Sequence, residues 1–262
     1  MALLERHDTG AVAHLHMNAP EKLNALSDAM LAALQKQLDA LATDRSIRAV
    51  VISGAGKAFC AGHDLKEMQA GRQAEDGGRA YFHDLFQRCA RMMLSIRRLP
   101  QPVIAQVHGI ATAAGCQMVA SCDMAVAADD TRFGVNGVNI GLFCSTPMVA
   151  LSRNIAPKHA FEMLTTGTFI NAQKAQALGL INQAVPGDAL AQTTADLAQL
   201  VASKLGAAVK IGKEAFYAQS EMSIEDAYDY AGQVMVENML YRDTAEGMEA
   251  FIEKRAPDWQ QP

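Results

Sequence analysis

The sequence predicts a wound α/β fold, and three observations carry that prediction. Two short apolar runs, "IRAVVISG" (47–54) and "QPVIAQVHG" (101–109), each end in glycine, and each leads through a loop of small residues into a helix. A third apolar run, "CDMAVAAD" (122–129), follows the second of those helices. Strand–loop–helix twice in succession is what parallel strands with crossover helices require. Finally, half of the 262 residues are hydrophobic and 19% are charged, which suffices for one sizeable core with an appendage.

Taken in order, 2–7 and 11–16 read as two short strands around the turn signal Asp8-Thr9-Gly10. Ser27 is placed to cap a helix whose apolar face is Met30, Leu31, Leu34, Leu38 and Leu41. The run 47–54 is a buried strand, and "GAGKAFCAGHDL" is the loop after it. The polar, glycine-rich stretch 70–78 reads as a mobile surface loop, expected to act as a lid. Tyr81, Phe82, Leu85, Phe86, Cys89, Met93 and Ile96 mark one side of the next helix. A second buried strand spans 101–109, "ATAAGCQMVASCD" (111–123) holds a helix, and 122–129 is a third strand. From 144 onward the chain is mostly helical, with a short strand at 180–185. Ser223 and Asp226 form a capping box for a helix near 224–241, and a last helix is stopped by Pro257.

The net charge of −5 argues against a general affinity for nucleic acid. No run is apolar enough to span a membrane, and the first twenty residues lack a basic-then-apolar signal. Five cysteines, an odd number with no C-x-x-C, argue against a disulfide scaffold or a structural zinc site. The expectation is a reducing interior, the cytoplasm.

Several motifs have bland readings that outweigh the chemical ones. "GAGKAF" (54–59) fails the phosphate-loop spacing, and no G-x-S-x-G elbow exists. His14 and His16 share a strand face but lack a third metal ligand. The small-residue strand ends at 60–64 and 112–117 carry more. A bare backbone there lets a ligand approach amide hydrogens left unpaired at a helix start, and two such amides on one oxygen make an oxyanion hole. The competing reading is that small residues only permit tight packing.

"SGAGKAFCAGHDLKEM" (53–68) and "QPVIAQVHGIATAAGCQMVASCDMAVAADDTRFG" (101–134) closely resemble the crotonase superfamily, the enoyl-CoA hydratase/isomerase family. The likeness continues through 162–185 and 246–259. Two stretches, "GHDLKE" and "VNIGLFCSTP", are most similar to one subgroup of it. The resemblance implies the ClpP/crotonase-like fold: a core of repeated ββα units over 1–197 and a helical trimerisation region over 198–262. It implies a homotrimer or a dimer of trimers acting on an acyl-CoA thioester, with coenzyme A as part of the substrate and no separate cofactor or metal. The hole amides would be those of His63 and Ala114. Lys22, Leu23, Ala61, His63, Asp64, Leu65 and Lys66 fall at CoA contacts, and Phe251 and Lys254 lie where members reach CoA, sometimes across the trimer.

The chain departs from the hydratases of that family at two positions. Their two glutamates fall at Gln117 and Gly137. An amide has no useful basicity near neutral pH and glycine has no side chain, while acid–base help is typically worth about 10²–10⁴-fold. Hydration is therefore expected to be very poor, and the enoyl isomerases, which need a carboxylate near Gly137, are disfavoured too. Cys144 is a candidate catalytic group, against the bland reading of a buried structural thiol. His108 reads as satisfying a core hydrogen bond, and Asp64 and Glu67 as capping and bracing a helix. Four functions remain open: enolate stabilisation on an acyl-CoA, decarboxylation of a malonyl-type CoA, thioester hydrolysis, and acyl-CoA binding without turnover. "AGHD" and "VNIG" are similar to methylmalonyl-CoA decarboxylases of the superfamily, although their tyrosine maps onto Cys144.

Overall fold

A computed structural model of the chain describes residues 2–260. Strands β1 (Leu4–Thr9) and β2 (Val12–Met17) form an antiparallel hairpin with Leu4 opposite Met17. Gly10 supplies the positive φ of the turn, 58°. Helix α1 (Asp28–Thr43) starts where the Ser27 hydroxyl accepts the Met30 N–H at 3.2 Å, and it buries all five leucine and methionine positions of its apolar face. Strand β3 (Ala49–Gly54) is buried throughout. Helices α2 (Leu65–Gly71) and α3 (Arg79–Arg98) follow, then β4 (Val103–Val107), β5 (Ile110–Thr112), α4 (Ala114–Ser121), β6 (Met124–Ala128) and β7 (Arg132–Gly134). After a 3-10 turn at Asn136–Ile140 come α5 (Ser145–Leu151), α6 (Pro157–Thr166), β8 (Ile170–Asn171), α7 (Ala172–Leu178) and β9 (Gln183–Val185). The remainder is helical: α8 (Leu190–Ala202), α9 (Gly206–Gln219), α10 (Ile224–Met239) and α11 (Arg242–Glu253).

The large sheet runs β1-β2-β3-β4-β6-β9, parallel from β2 onward. Its residues alternate between two cores, as the period of a strand demands. Val50, Ile52 and Ala105 point into the main core with α1 and α3, whereas Ala49, Val51 and Ile104 meet Ala198 and Ala202 of α8. The sheet-packing part of the chain includes Ala198 and Ala202 of α8. The second sheet, β5-β7-β8, is small, and its parallel pair β5/β7 aligns Thr112 with Gly134.

Two local expectations are corrected. The last helix ends at Lys254, which takes φ 56°, before Pro257 is reached. There the chain turns back and Arg255 pairs with Glu246 at 2.6 Å. Residues 70 and 71 belong to α2, and the rest of the loop is tied down by Asp76, which accepts the Gly78 and Ala80 N–H groups. At α10 Ser223 is the expected cap, its hydroxyl accepting the Asp226 N–H at 3.2 Å and donating to the Asp226 carboxylate at 2.8 Å.

Asp123, at the start of β6, fastens α9 to the core. It accepts the Val103 N–H at 2.6 Å, the Lys213 ammonium at 2.7 Å and the Tyr217 hydroxyl at 2.7 Å. Lys213 also donates to the Ile96 and Gln101 carbonyls, at 3.2 and 3.0 Å. Burial lowers the Lys213 pKa and the Asp123 charge opposes that shift. Asp123→Ala strands a buried ammonium, so it should cost roughly 3–5 kcal/mol of unfolding free energy in a urea titration. Tyr217→Phe, which removes one hydrogen bond, should cost about 1 kcal/mol.

Candidate active site

The site is built on two backbone segments lying side by side. Cys60 and Ala111 form a parallel bridge, in which the Cys60 N–H donates to Ile110 at 3.2 Å and the Thr112 N–H to Cys60 at 3.0 Å. On the other side the Ala61 N–H donates to Leu23 at 3.0 Å and the Leu26 N–H to Gly62 at 2.7 Å. The stretch 60–63 is therefore a central strand between two others. A Cβ on Gly62 would lie 2.9 Å from the Ala113 Cβ and 3.3 Å from the Ala114 nitrogen, and a Cβ on Gly115 would overlap the Cys60 carbonyl. Tight packing and function are thus the same feature: the closeness that demands small residues also brings the 60–63 and 112–115 backbones to one point. Neither the His63 nor the Ala114 N–H has an acceptor among the described residues. Ala113 takes φ 49° and ψ −119°, a conformation costly for a residue with a Cβ, just before the helix whose first free amide is Ala114.

Both segments line a cavity of about 290 Å³. Leu65, Met68, Phe86, Leu142 and Phe143 give it apolar walls, and its polar residues are His63, Thr112, Asn136, Cys144, Ser145 and Thr146. No carboxylate is among its lining residues. Such a place, two free amides in a low-dielectric pocket, is suited to holding an oxygen that gains negative charge.

Gln117 lies in the first turns of α4 but does not line this cavity. Its side chain, 5% exposed, borders a neighbouring cavity of about 570 Å³ beside Ser121 and Tyr217, and its Oε1 has no partner among the described residues. Thr146 is common to both cavities. Gly137 does line the first cavity, yet nothing larger fits there. A Cβ would overlap the Leu142 carbonyl and lie 2.9 Å from the Cys144 sulfur. The Gly137 N–H donates to that sulfur at 3.4 Å. Burial pushes the Cys144 thiol up, and this hydrogen bond only partly offsets it. Cys144 is therefore a protonated thiol that ties down a loop, and not an activated nucleophile.

Residues 7–262 match the enoyl-CoA hydratase/isomerase family. The chain belongs to that family. The human mitochondrial enoyl-CoA hydratase domain-containing protein 3 is 45% identical over 248 residues, which span 95% of this chain and 80% of that one. Its crystal structure superimposes with a TM-score of 0.94 at 43% identity, covering 98% of this chain and all of that one. An enoyl-CoA hydratase from Mycobacterium smegmatis gives a TM-score of 0.94 at 53% identity, covering 98% of each chain. The 2,3-dehydroadipyl-CoA hydratase of Escherichia coli is 32% identical over 94% of this chain and 93% of its own.

The remaining expected site residues of this family member divide into two groups. Lys22, Leu23 and Ala61 to Lys66 come together: Lys22 lies 3.3 Å from Asp64, which also caps α2 by accepting the Lys66 and Glu67 N–H groups. Glu67 accepts the Asp28 N–H at 2.8 Å and so braces α2 against α1. Phe251 and Lys254 stay apart, on α11, and do not line the cavity of their own chain. Phe251 is 84% exposed. Residues 70–78 do not line the cavity either; Leu65 and Met68 of α2 do. His108 donates through Nε2 to the Gly56 carbonyl at 2.9 Å, a structural bond, though one exposed to solvent and not in the core. His16 bonds Ser53, and no His, Cys, Asp and Glu cluster suited to a metal exists among the described residues.

Two features had no sequence signal that was followed. Asn24 is fully buried, accepts the Ala19 N–H and donates to Ala55 and Ala58, knotting the Leu23 loop to the exit of β3. Thr112 bonds Asn136 inside the cavity at 2.5 Å.

The His63 ring places Nδ1 3.3 Å from the Leu26 carbonyl, which can only accept, so Nδ1 carries the proton and Nε2 the lone pair. Nε2 is buried without a partner, and burial holds the imidazole below its ordinary value of 6.5. The unfolded chain therefore takes up this proton first, and stability falls as pH drops through 6.5 toward the folded value. His63→Gln, which keeps the backbone amide, should lose less stability than the native chain between pH 7 and pH 5 when both are unfolded in urea. Gly137→Glu should fail to install a working base: overpacking should cost about 1–3 kcal/mol or more, and crotonyl-CoA should remain unhydrated in the Gln117→Glu/Gly137→Glu double variant.

Proposed function

We propose that the chain binds acyl-CoA thioesters and stabilises negative charge on the thioester oxygen through the His63 and Ala114 amides, without the two-carboxylate activation of water. The single observation behind this reading is a pair of free amides, on two closely packed backbone segments, beside a cavity that contains no carboxylate. An enolate or a tetrahedral adduct carries its charge on that one oxygen, and each well-aimed donor is worth roughly 3–4 kcal/mol in the transition state. Membership of the enoyl-CoA hydratase/isomerase family and relatives named for CoA thioesters support the substrate class. CoA would lie along Lys22, Leu23 and Ala61 to Lys66, with the exposed lysines against its phosphates.

The carboxylate-free cavity favours a second reading, loss of CO₂ from a malonyl-type thioester. The bond from the α-carbon to the carboxylate breaks, its electron pair moves onto the thioester oxygen held by the two amides, and water returns a proton to the α-carbon. No basic side chain is consumed, so Gln117 and Gly137 are no obstacle. Thioester hydrolysis by Cys144 is not favoured, because the thiol is held protonated.

We also assign a homotrimer or a dimer of trimers. Ile224, Tyr228, Met235, Leu240 and Phe251 of α10 and its surroundings are all more than half exposed, which supports burial against a second copy. In that assembly Phe251 and Lys254 would serve a neighbour's CoA. The five unpaired, buried cysteines support a reducing compartment, the cytoplasm.

The deciding experiment is mass spectrometry of crotonyl-, 3-hydroxybutyryl-, malonyl- and methylmalonyl-CoA after incubation with the protein, with binding read in parallel by calorimetry. We expect crotonyl-CoA to gain no water and the malonyl-type esters to lose CO₂. His63→Pro, which deletes one hole amide, should slow the reaction about 10²–10³-fold. Rapid hydration of crotonyl-CoA would overturn the proposal. Esters that bind and survive would make the site a holder of acyl-CoA.

A further inference from the structure

The cavity contains one polar pair that the oxyanion hole does not use. The Thr112 hydroxyl donates to the Asn136 Oδ1 at 2.5 Å. The pair follows from the small sheet: Thr112 ends β5, its register partner Gly134 ends β7, and Asn136 lies two residues beyond Gly134. With its oxygen occupied, the Asn136 amide has a fixed orientation, and its NH₂ group has no acceptor among the described residues and is not buried. Thr112 and Asn136 both line the same cavity of about 290 Å³ as Ala114, and Asn136 is adjacent to Gly137.

We infer that Asn136, oriented by Thr112, is a specificity-determining residue that binds a carboxylate carried on the acyl group of the substrate. This rests on the acyl-CoA reading above and narrows it to thioesters with an anionic acyl end. Three features of the cavity agree. Its lining contains no acidic group that would repel such an anion, whereas one carboxylate near Gly137 would. Its remaining unpaired polar groups include hydrogen-bond donors, the Thr146 hydroxyl among them. Its other walls, Leu142, Phe143 and Pro147 among them, are apolar, so a carboxylate entering it depends on those few donors. An amide that holds the carboxylate in the ground state selects the substrate without itself speeding the loss of CO₂. Asn136 thus acts on binding, and the hole amides act on the rate.

The test compares malonyl-CoA with isovaleryl-CoA, which has the same shape but two methyl groups where malonyl has its carboxylate oxygens. Acetyl-CoA is the control. The informative variant is Asn136→Asp. An aspartate still accepts the Thr112 hydroxyl, so the clip between β5 and β7 survives, while the donor facing the cavity becomes an acceptor. By calorimetry the variant should bind malonyl-CoA about tenfold or more weakly and isovaleryl-CoA within about twofold of the native protein. If malonyl-CoA turns over, KM should rise by that factor and kcat should not fall, because the contact to the carboxylate is lost as CO₂ leaves. Thr112→Val, which frees the amide to rotate, should weaken malonyl-CoA alone, by about threefold, and serves if the aspartate variant does not fold. Equal losses for both esters would assign the pair a purely structural role and overturn the inference. So would an unchanged malonyl-CoA affinity, or a native protein that prefers isovaleryl-CoA. Those results leave the acyl-CoA reading intact, provided acetyl-CoA binds. If none of the three esters binds, both readings fall.

Discussion

The close approach of two stretches of backbone, 60–63 and 111–114, is the constraint on which the rest of this site depends. Their hydrogen bonds leave no room for a Cβ at Gly62 or Gly115. Ala113 is pressed into a backbone conformation that residues with a Cβ avoid. That strain accompanies two amides, of His63 and Ala114, with no internal partner, both on residues that line the cavity. The supports reach outward from there. Asn24 knots the Leu23 loop to the end of β3, the Leu23 and Leu26 backbone pairs with 61 and 62, and Glu67 anchors α2 to α1. Donors fixed in advance need no reorganisation when charge develops, and that is the source of their effect on a rate.

A carboxylate in such a pocket would do two things at once. It could activate water, and it would repel an anionic substrate. Two unit charges about 4 Å apart repel by roughly 4 kcal/mol at an effective dielectric constant near 20. A cavity walled by Leu142 and Phe143, with no acid among its lining residues, relinquishes the first ability and is released from the second. Gly137 is therefore more than a loss. It leaves this cavity without an acid, so an anionic thioester would meet none of that repulsion from its walls.

Much of this was legible in the sequence because it depends on local rules. The apolar spacing of α1, the Ser27 cap and the strand ending at Gly54 all follow from periodicity and capping, and each is present, while the strand expected at 101–109 ends at Val107. That His63 and Ala114 carry free amides beside one cavity was legible from the bare backbone at 112–115 together with the family resemblance. The missed features share a physical cause. Strand β8 has two residues, too few for any period, and Asn24 and the Thr112–Asn136 pair act through contacts between residues 24 to 34 positions apart. The side-chain direction of Gln117 also escaped, since a helical position fixes where a Cβ starts but not which of two adjoining cavities the amide borders.

Gly137 shows why residue identity alone understates the divergence of this site from the hydratase pattern. An active-site glutamate lost by simple substitution would leave an empty slot behind. Here the Leu142 carbonyl and the Cys144 sulfur stand where the side chain would begin, and the Gly137 N–H is hydrogen-bonded to that sulfur. The Asn136–Cys144 segment has closed over the position, with Gly141 at φ 77° completing the turn. The thiol holds that loop by accepting the Gly137 N–H, and burial keeps it protonated although this hydrogen bond works the other way. A path back to hydration would need the loop re-traced, the Gln117 side chain brought from one cavity to the other, and the Thr146 wall moved. The absence of a carboxylate from this cavity is thus written into the course of the backbone, and the free His63 and Ala114 amides are what that backbone leaves open to a ligand.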